Sequence, residues 1–256
     1  MNESLDMQSS KVEGFQQQLL PKDFFVLQTK FAFKIAETRG ISLSEALLQY
    51  TSAHTRLFRH PTRGVNDDWQ EFVDSVPSNP DAITELIYAT YLQHEEDLVS
   101  ESHQERIVFG CFSLVYKESR NSFTLHFGNN DSQGNLGQDR ITARWDDLRK
   151  LSDSIKSSKQ NGAMIQMSSW LLSIDAFTRL MPPEFVQSIE VCSVDTAQDN
   201  GLWGQFLDKE GQVKTGLAEK LLSSIEDNAI SVVESFPIEF KTSSVPQEVF
   251  FDYYLR

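Results

Sequence analysis

The spacing of apolar residues changes near Arg106, and this change constrains the fold more than any other feature of the chain. Before it, apolar side chains recur every three or four residues, as in residues 23–39, which predicts amphipathic helices. After it, residues 107–116 and 122–127 are rich in β-branched and aromatic side chains, as strands are, and a polar segment separates them. The sequence therefore predicts helices followed by a sheet that begins with a β-hairpin.

Short local signals mark where the predicted helices begin and end. Gly40 suits the end of the helix at 23–39. Ser42 followed by Glu45 is a capping box, which predicts the start of the next helix. Pro80 suits the first turn of a helix that continues to residue 98. Residues 1–105 are therefore interpreted as a helical lobe.

The second part of the chain mixes strands with helices. A polar loop at 128–137 follows the hairpin, and an amphipathic helix with Ile141 and Trp145 on its apolar stripe follows the loop. The remaining predicted elements are a strand at 163–167, a short helix at 174–181, strands at 189–194 and 202–207, a helix at 213–225 and a last strand at 249–255. This order predicts an α+β fold, in which an N-terminal helical bundle precedes a mixed, mostly antiparallel sheet with helices. We expect two domains, residues 1–105 and 106–256, packed together as one compact unit.

Charge and composition exclude several classes of partner. The chain has 37 acidic and 23 basic residues and a net charge of −14. Residues 1–105 carry most of the excess, with 17 acidic and 8 basic residues, whereas residues 120–190 are neutral. Long-range repulsion argues against nucleic acid or an anionic membrane as a partner, and no apolar run approaches the about 20 residues that span a bilayer. The isolated Cys111 and Cys192 are interpreted as buried thiols of a cytoplasmic protein.

The common metal and nucleotide motifs are absent from the sequence, which has no zinc-type cysteine pairs, no HExxH, no Walker loop and no GxGxxG. We therefore predict no metal site from motifs. His54 and His94 lie on the apolar stripes of two predicted helices. In one interpretation the two rings meet and bind a metal or relay a proton. In the other they are histidines at the edge of the core whose rings form hydrogen bonds with backbone carbonyls.

The loop after the hairpin combines three features of an anion site. Its glycines, among them Gly134 and Gly137, permit a ligand to approach the backbone closely. It leads into a helix N-terminus, whose free N–H groups attract anions. Arg140 and Arg144 lie four residues apart and repel each other unless an anion or a carboxylate lies between them. The predicted ligand-binding residues are Asn129, Asn130, Gly134, Gly137, Arg140 and Arg144, with His126 as the nearest general base. Alternatively, this is an ordinary surface loop whose arginines pair with Asp139, Asp147 or acidic residues of the helical lobe.

Two tryptophans mark further candidates. Trp170 follows the strand predicted at 163–167, and Trp203 lies with Gln205 in the strand predicted at 202–207. A tryptophan at a strand end either lines a pocket for a flat or acyl group or fills the core. Trp170, Trp203 and Gln205 are accordingly candidates for a substrate pocket.

A family resemblance rests on two stretches: Leu125-His126-Phe127 before the glycine-bearing loop, and Ser169-Trp170-Leu171-Leu172 about forty residues later. Over about residues 106–207 the chain resembles the C-terminal acyltransferase-like domain of bacterial proteins related to the GNAT superfamily, which also carry helical sequence upstream. The resemblance implies that the loop amides hold the pyrophosphate of an acyl-CoA and that an acyl group is transferred to an amine. In the family the loop follows a pattern like Arg/Gln-x-x-Gly-x-Gly/Ala, and residues 133–137 depart from its spacing.

Two other functions agree with the same sequence. The chain is then either a non-catalytic binding or regulatory protein, whose acidic helical lobe contacts a basic partner, or an enzyme of another class that acts on a small anionic metabolite. A concave pocket that joins His126, the loop at 129–130, Trp170 and Trp203 is the observation that favours an enzyme.

Overall fold

The structure is a computed structural model, and it describes residues 19–58, 67–75, 79–93, 106–128, 131, 136–158, 160–192, 197–225 and 232–256. Within these ranges it contains eleven α-helices and six β-strands. The predicted α+β class is confirmed.

In the described ranges, five helices precede the sheet. They are α1 (Lys22–Arg39), α2 (Leu43–Tyr50), α3 (Ala53–Leu57), α4 (Asp67–Ser75) and α5 (Pro80–Gln93). Gly40 ends α1 in the left-handed conformation, with φ of 65°, and the Oγ of Ser42 accepts a hydrogen bond of 3.1 Å from the N–H of Glu45. The sequence signals for the end of α1 at Gly40 and for the start of α2 at Ser42 are therefore confirmed. The predicted extension of α5 beyond Gln93 falls on residues outside the described ranges.

The strands form one mixed sheet in the order β1-β2-β3-β4-β6-β5. They are β1 (Arg106–Phe109), β2 (Phe112–Lys117), β3 (Ser122–Phe127), β4 (Met164–Ser169), β5 (Glu190–Val191) and β6 (Lys241–Pro246). β3 and β4 are parallel, and every other neighbouring pair is antiparallel. The predicted mostly antiparallel, mixed sheet is thus what the chain forms.

The described part of the chain after β3 contains six helices. They are α6 (Ile141–Ser157), α7 (Asp175–Thr178), α8 (Pro183–Gln187), α9 (Asn200–Trp203), α10 (Thr215–Ser224) and α11 (Gln247–Tyr254). Leu148, Leu151 and Ile155 of α6 are fully buried against Phe112 and Leu114 of β2. The amphipathic helix predicted after the loop is therefore confirmed, and it covers one face of the sheet. Trp145, which was predicted on its apolar stripe, is instead 45% exposed and packs against the ring of Tyr253.

Four predicted strands were wrong in kind or in extent. Residues 107–116 are two strands, because Gly110, with φ of 55°, turns the chain between β1 and β2. Residues 202–207 form the end of α9 and a 3-10 turn, Gly204–Phe206, and residues 249–255 belong mainly to α11. The strand predicted at 189–194 is reduced to the two residues of β5.

The buried apolar residues form two clusters, which we name the first core and the second core. The first core contains side chains of α1–α5 together with Trp203, Phe206, Leu221 and Phe236 from residues 197–240. The second core lies between the sheet and the helices α6, α7, α8 and α11. The sequence predicts residues 197–240 as part of the α+β domain, whereas in the structure the buried apolar side chains of the described residues in this range pack with the N-terminal helices.

The opposite face of the sheet is mainly polar. Because side chains alternate along a strand, Ser113, Thr124, His126 and Gln166 share the face that points away from the second core. We name this surface the polar face. Among these four residues only Ser113 is fully buried, and the other three are half-buried.

Candidate functional site

The parallel strands β3 and β4 separate at their carboxyl ends. The paired residues are Ser122 to Thr124 on β3 and Met164 to Gln166 on β4. Beyond them, β3 stays paired with β2 as far as Phe127, and β4 stays paired with β6 as far as Ser169. Ligands in open sheets with parallel strands bind outside the carboxyl ends of those strands, where the connections diverge. We name this part of the sheet the crevice.

His126 lies at the crevice, on the polar face, beside the end of the paired segment. Its pKa falls from 6.5 to about 4, mainly because of burial and partly because of the positive charges of Arg106 and Lys117, while Asp199 acts in the opposite direction. The imidazole is therefore neutral at pH 7 and carries one nitrogen lone pair that accepts a proton.

Arg140 and Arg144 meet at one carboxylate. The Nε of Arg140 donates a hydrogen bond of 3.0 Å to the Oδ2 of Asp131, and an NH group of Arg144 donates one of 2.9 Å to the same oxygen. The side chains are 24% exposed for Arg140, 5% for Arg144 and 12% for Asp131. The arrangement agrees with the expectation that a negative charge lies between the two arginines, and that charge comes from the chain itself.

A second carboxylate completes this group. The Nε of Arg144 lies 3.2 Å from the Oδ2 of Asp147, which is an ion-pair distance, although the N–H is not aligned for a hydrogen bond. Another NH group of Arg144 contacts the Sγ of Cys111, which is buried. Burial raises the pKa of Asp147, while Arg144, the N–H of Cys111 and Lys150 lower it. We name Asp131, Arg140, Arg144 and Asp147 the arginine cluster.

The arginine cluster and His126 lie on different sides of the sheet. Arg144 and Asp147 project from α6, which covers the second-core face, and they contact the turn between β1 and β2. His126 is on the polar face, where Arg106, Lys117 and Asp199 are the charged groups that affect its pKa. Both lie near the carboxyl end of β3, because Gly128, two residues after His126, donates a hydrogen bond of 2.8 Å to the carbonyl of Cys111, which the arginine cluster contacts.

The other predicted ligand-binding residues belong to the loop before α6. Gly137 precedes the 3-10 turn Gln138–Arg140 and accepts a hydrogen bond of 3.0 Å from the N–H of Arg140. A Cβ at Gly137 would lie 2.5 Å from the Oδ1 of Asp139, which is the end of an exposed side chain. Asn129, Asn130 and Gly134 lie outside the described residues.

The three residues predicted to line a substrate pocket have different surroundings. Trp203 is fully buried in the first core, where its ring contacts Phe31 and its Nε1 donates a hydrogen bond of 2.7 Å to the carbonyl of Ala197. Gln205 is also fully buried, and its side-chain oxygen accepts a hydrogen bond of 2.9 Å from the N–H of Ile238. Both side chains therefore stabilise the first core.

Trp170 lies between the two cores. It packs on the edge of the second core, and the Nζ of Lys214 lies 5.5 Å from the centre of its ring. A Cβ at Gly204 would lie 3.4 Å from the indole nitrogen, so the start of the turn Gly204–Phe206 packs against this tryptophan. The structure thus brings Trp170 close to residues 204–205 and does not bring Trp203 into the same space as His126.

Asp131 is the residue of the cluster that the sequence analysis did not identify. The alternative interpretation paired the arginines with Asp139, Asp147 or the helical lobe, and of these the structure shows the contact of Arg144 with Asp147. The available signal was an acidic residue inside the polar loop, 9 residues before Arg140 and 13 before Arg144.

The described part of the chain shows neither a cluster of metal ligands nor a helix that could span a membrane. It contains no group of three or more His, Cys, Asp or Glu side chains able to hold a metal ion. His54 is buried and its ring packs 5.1 Å from that of Trp69, whereas His94 lies outside the described ranges. Among the described helices, none is both long enough and apolar enough to cross a bilayer.

Similarity to known proteins does not add to this description. No protein-family model matches the sequence, and comparisons with curated proteins and with solved structures give no significant match.

Proposed function

We propose that the chain is a GNAT-like N-acyltransferase that uses an acyl-CoA donor. The observation that carries this proposal is the separation of β3 and β4 beyond Thr124 and Gln166. Parallel strands that part at their carboxyl ends leave room for an extended ligand, and β3 leads through a polar loop to the N-terminus of α6. The order of strands and helices around the crevice supports the resemblance read from residues 106–207.

The hydrogen-bond donors of Arg140 and Arg144 suit a polyanion. Arg140 and Arg144 present guanidinium groups, which bind phosphates through paired N–H bonds, next to the first turn of α6. In our proposal they hold the pyrophosphate of the acyl-CoA, which supplies an acyl group activated as a thioester. Residues 120–190 are neutral overall, so the net acidity of the chain does not repel an anion from this region.

His126 acts as the general base of the proposed reaction. The bond from the neutral acceptor nitrogen to the acyl carbon forms, and the amine proton passes to the neutral imidazole directly or through one water. The bond from that carbon to sulfur breaks, and its electron pair leaves with sulfur as the CoA thiolate, which the protonated imidazole can then protonate. Its lowered pKa keeps the ring neutral over the whole physiological range. The acidic residues of the helical lobe favour a cationic amine as the acceptor.

One observation favours a second function, that of a non-catalytic binding or regulatory protein. Arg140 and Arg144 are already paired with Asp131 and Asp147, so their charges are balanced inside the chain. The partner of such a protein would be basic, because α4 exposes Asp68, Glu71 and Asp74 on its surface.

Calorimetric titration with acetyl-CoA tests the proposed function. We expect binding to the whole chain and a loss of about tenfold in affinity, about 1.4 kcal/mol, in Arg140→Ala. Arg149→Ala is the matched control, because Arg149 is exposed on the same helix and pairs with Asp146 outside the cluster.

His126→Gln tests the catalytic step. This variant should bind acetyl-CoA as the wild type does, and its kcat for release of free CoA with a polyamine acceptor should be lower by a factor of about 100 or more.

Absence of binding to the wild-type chain would contradict the acyltransferase proposal. Equal affinity in Arg140→Ala and Arg149→Ala would contradict the role given to the arginine cluster. Binding of acetyl-CoA without any acyl transfer to amines would favour the second function.

A further inference from the structure

We propose that Asp131 occupies the anion site formed by Arg140 and Arg144 as an internal carboxylate, and that the pyrophosphate of a ligand binds by taking its place. This inference rests on the proposed function, because it concerns the same two arginines. It adds a regulatory property to the site, since the internal carboxylate then sets how tightly the site holds an external anion.

The contacts of Asp131 are those of a bound anion. A single oxygen, Oδ2, accepts hydrogen bonds from Arg140 at 3.0 Å and from Arg144 at 2.9 Å. Two guanidinium groups that converge on one oxygen resemble the way arginines hold a phosphate oxygen. Asp131 precedes the two arginines by 9 and 13 residues and belongs to neither the 3-10 turn nor α6.

The surroundings strengthen binding of a second, larger anion. In the described part of the chain no side chain caps α6, and the first turn of α6 contains no acidic residue. The N–H groups of this turn add a partial positive charge beside Arg140 and Arg144. A pyrophosphate carries more negative charge than one carboxylate and has several oxygens for these donors.

The buried Nε of Arg144 points to the same conclusion. This N–H is more than nine-tenths buried and is not aligned with the Oδ2 of Asp147, although the two atoms are 3.2 Å apart. Asp131 and Asp147 together therefore leave one donor of the cluster without a hydrogen bond. In our proposal, a ligand with more acceptor atoms than a carboxylate supplies the acceptor that this donor lacks.

The two carboxylates of the cluster have different roles in this scheme. Asp147 lies on α6 and contacts the turn between β1 and β2, where the N–H of Cys111 is 3.5 Å from its Oδ2. It remains in place and balances Arg144 when a ligand binds. Asp131 contacts the two arginines through one oxygen and lies outside α6, so in this scheme it is the group that an external anion replaces.

Titration of inorganic pyrophosphate and of CoA into three chains tests this inference. Asp131→Asn removes the internal anion and keeps the size of the side chain, and we expect its affinity for both probes to be about tenfold higher than that of the wild type. Asp146→Asn is the matched control, because it removes one exposed carboxylate from α6 outside the cluster. Its affinity should equal that of the wild type.

Each other outcome has a definite meaning. Equal or weaker binding in Asp131→Asn overturns the inference, and it leaves the proposed function standing if the wild type binds acetyl-CoA and transfers its acyl group. Tighter binding in Asp131→Asn without any acyl transfer supports the inference and contradicts the proposed function. An equal gain in Asp131→Asn and Asp146→Asn shows a general charge effect and overturns the inference. An Asp131→Asn chain that stays unfolded in excess pyrophosphate also overturns it, because an anion that replaces the carboxylate should stabilise the fold.

Discussion

His126 shows how a strand environment changes the chemistry of one side chain. It lies on the polar face, yet burial, together with the positive charges of Arg106 and Lys117, lowers its pKa to about 4. A histidine that is neutral when folded and protonates near pH 6.5 when unfolded links folding to pH. The unfolded chain takes up this proton first, so this residue makes the fold less stable as the pH falls from 6.5 to about 4.

We therefore predict that His126→Gln reduces the acid sensitivity of the protein. The free energy of unfolding of the wild type should fall between pH 6.5 and 4, with His126 contributing up to about 1.4 kcal/mol per pH unit. The variant lacks this contribution and should lose less stability over the same range. Urea unfolding at several pH values measures the difference, and an NMR titration of the imidazole gives the pKa directly. Parallel stability curves for the two chains, or a pKa near 6.5, would show that the ring is not buried in solution.

At the residue scale, the sequence predicted the pair Arg140 and Arg144 and the need for a negative charge between them, because four-residue spacing on a helix is a local property. It did not show that Asp131 supplies the charge, since this contact crosses a loop whose conformation has no periodic signal. Trp203 and Gln205 illustrate a different limit. Tryptophan and glutamine suit a ligand pocket and a buried hydrogen-bonded core equally, and only packing against Phe31 and Ile238 distinguishes the two.

At the element scale, the errors have physical causes that can be named. Residues 249–255 are aromatic and β-branched, as in strands, but Phe250 and Tyr254 are four residues apart and pack on one side of α11. β6 was not predicted, because its residues Lys241, Thr242, Ser243 and Ser244 lack alternating apolar side chains. It nevertheless pairs with β4 along its whole length, where serine and threonine hydroxyls bond across the strands, as Ser168 does with Thr242 at 3.1 Å.

The turn between β1 and β2 provides a prediction at this scale. Gly110 has φ of 55°, and a Cβ there would overlap the carboxyl group of Asp147. Gly162, before β4, has φ of 66° and open space around its Cα. Gly162→Ala should therefore lower the free energy of unfolding by about 1 kcal/mol, the strain of a left-handed alanine. Gly110→Ala should lower it by at least about 1 kcal/mol more, because it also displaces the side chain of Asp147.

Chemical denaturation of the two glycine variants and the wild type measures these changes. The difference between the variants isolates the contact of the turn with α6, since both carry the same backbone strain. Equal losses of stability would show that Asp147 does not lie against Gly110. In addition, acetyl-CoA should bind more weakly to Gly110→Ala than to Gly162→Ala, because Asp147 positions Arg144.

At the scale of the whole molecule, several contacts connect the first core to the second. A Cβ at Gly201 of α9 would lie 3.4 Å from the carbonyl oxygen of Ser168 at the end of β4. Lys214 stacks over Trp170, and the hydroxyl of Ser173 donates a hydrogen bond of 3.0 Å to the carbonyl of Glu239. The chain also passes directly from Phe240 in the first core into β6. These links lie at the carboxyl end of β4, so the crevice is formed where the two cores meet.

Such links predict that the two cores unfold together, as expected for one compact unit. Leu221→Ala opens a cavity in the first core and Ile165→Ala opens one in the second, and both native side chains are fully buried. Each substitution should lower the free energy of unfolding by about 2 to 5 kcal/mol. If the cores form one cooperative unit, each variant shifts a single transition, and far-UV circular dichroism and tryptophan fluorescence give the same midpoint for it.

Independent cores give a different pattern in the same experiment. Fluorescence recorded in a background of Trp145→Phe and Trp170→Phe reports only on Trp69 and Trp203, both of which are in the first core. In that background Ile165→Ala should lower the unfolding midpoint measured by fluorescence as much as the midpoint measured by circular dichroism. The reason is that loss of the second core also removes the contacts of Ser168 with residue 201 and of Ser173 with residue 239. A fluorescence midpoint that Ile165→Ala leaves unchanged would show that the first core folds without the second. The crevice would then depend on the docking of two separately stable parts, and acetyl-CoA should raise the midpoint of both transitions rather than of one.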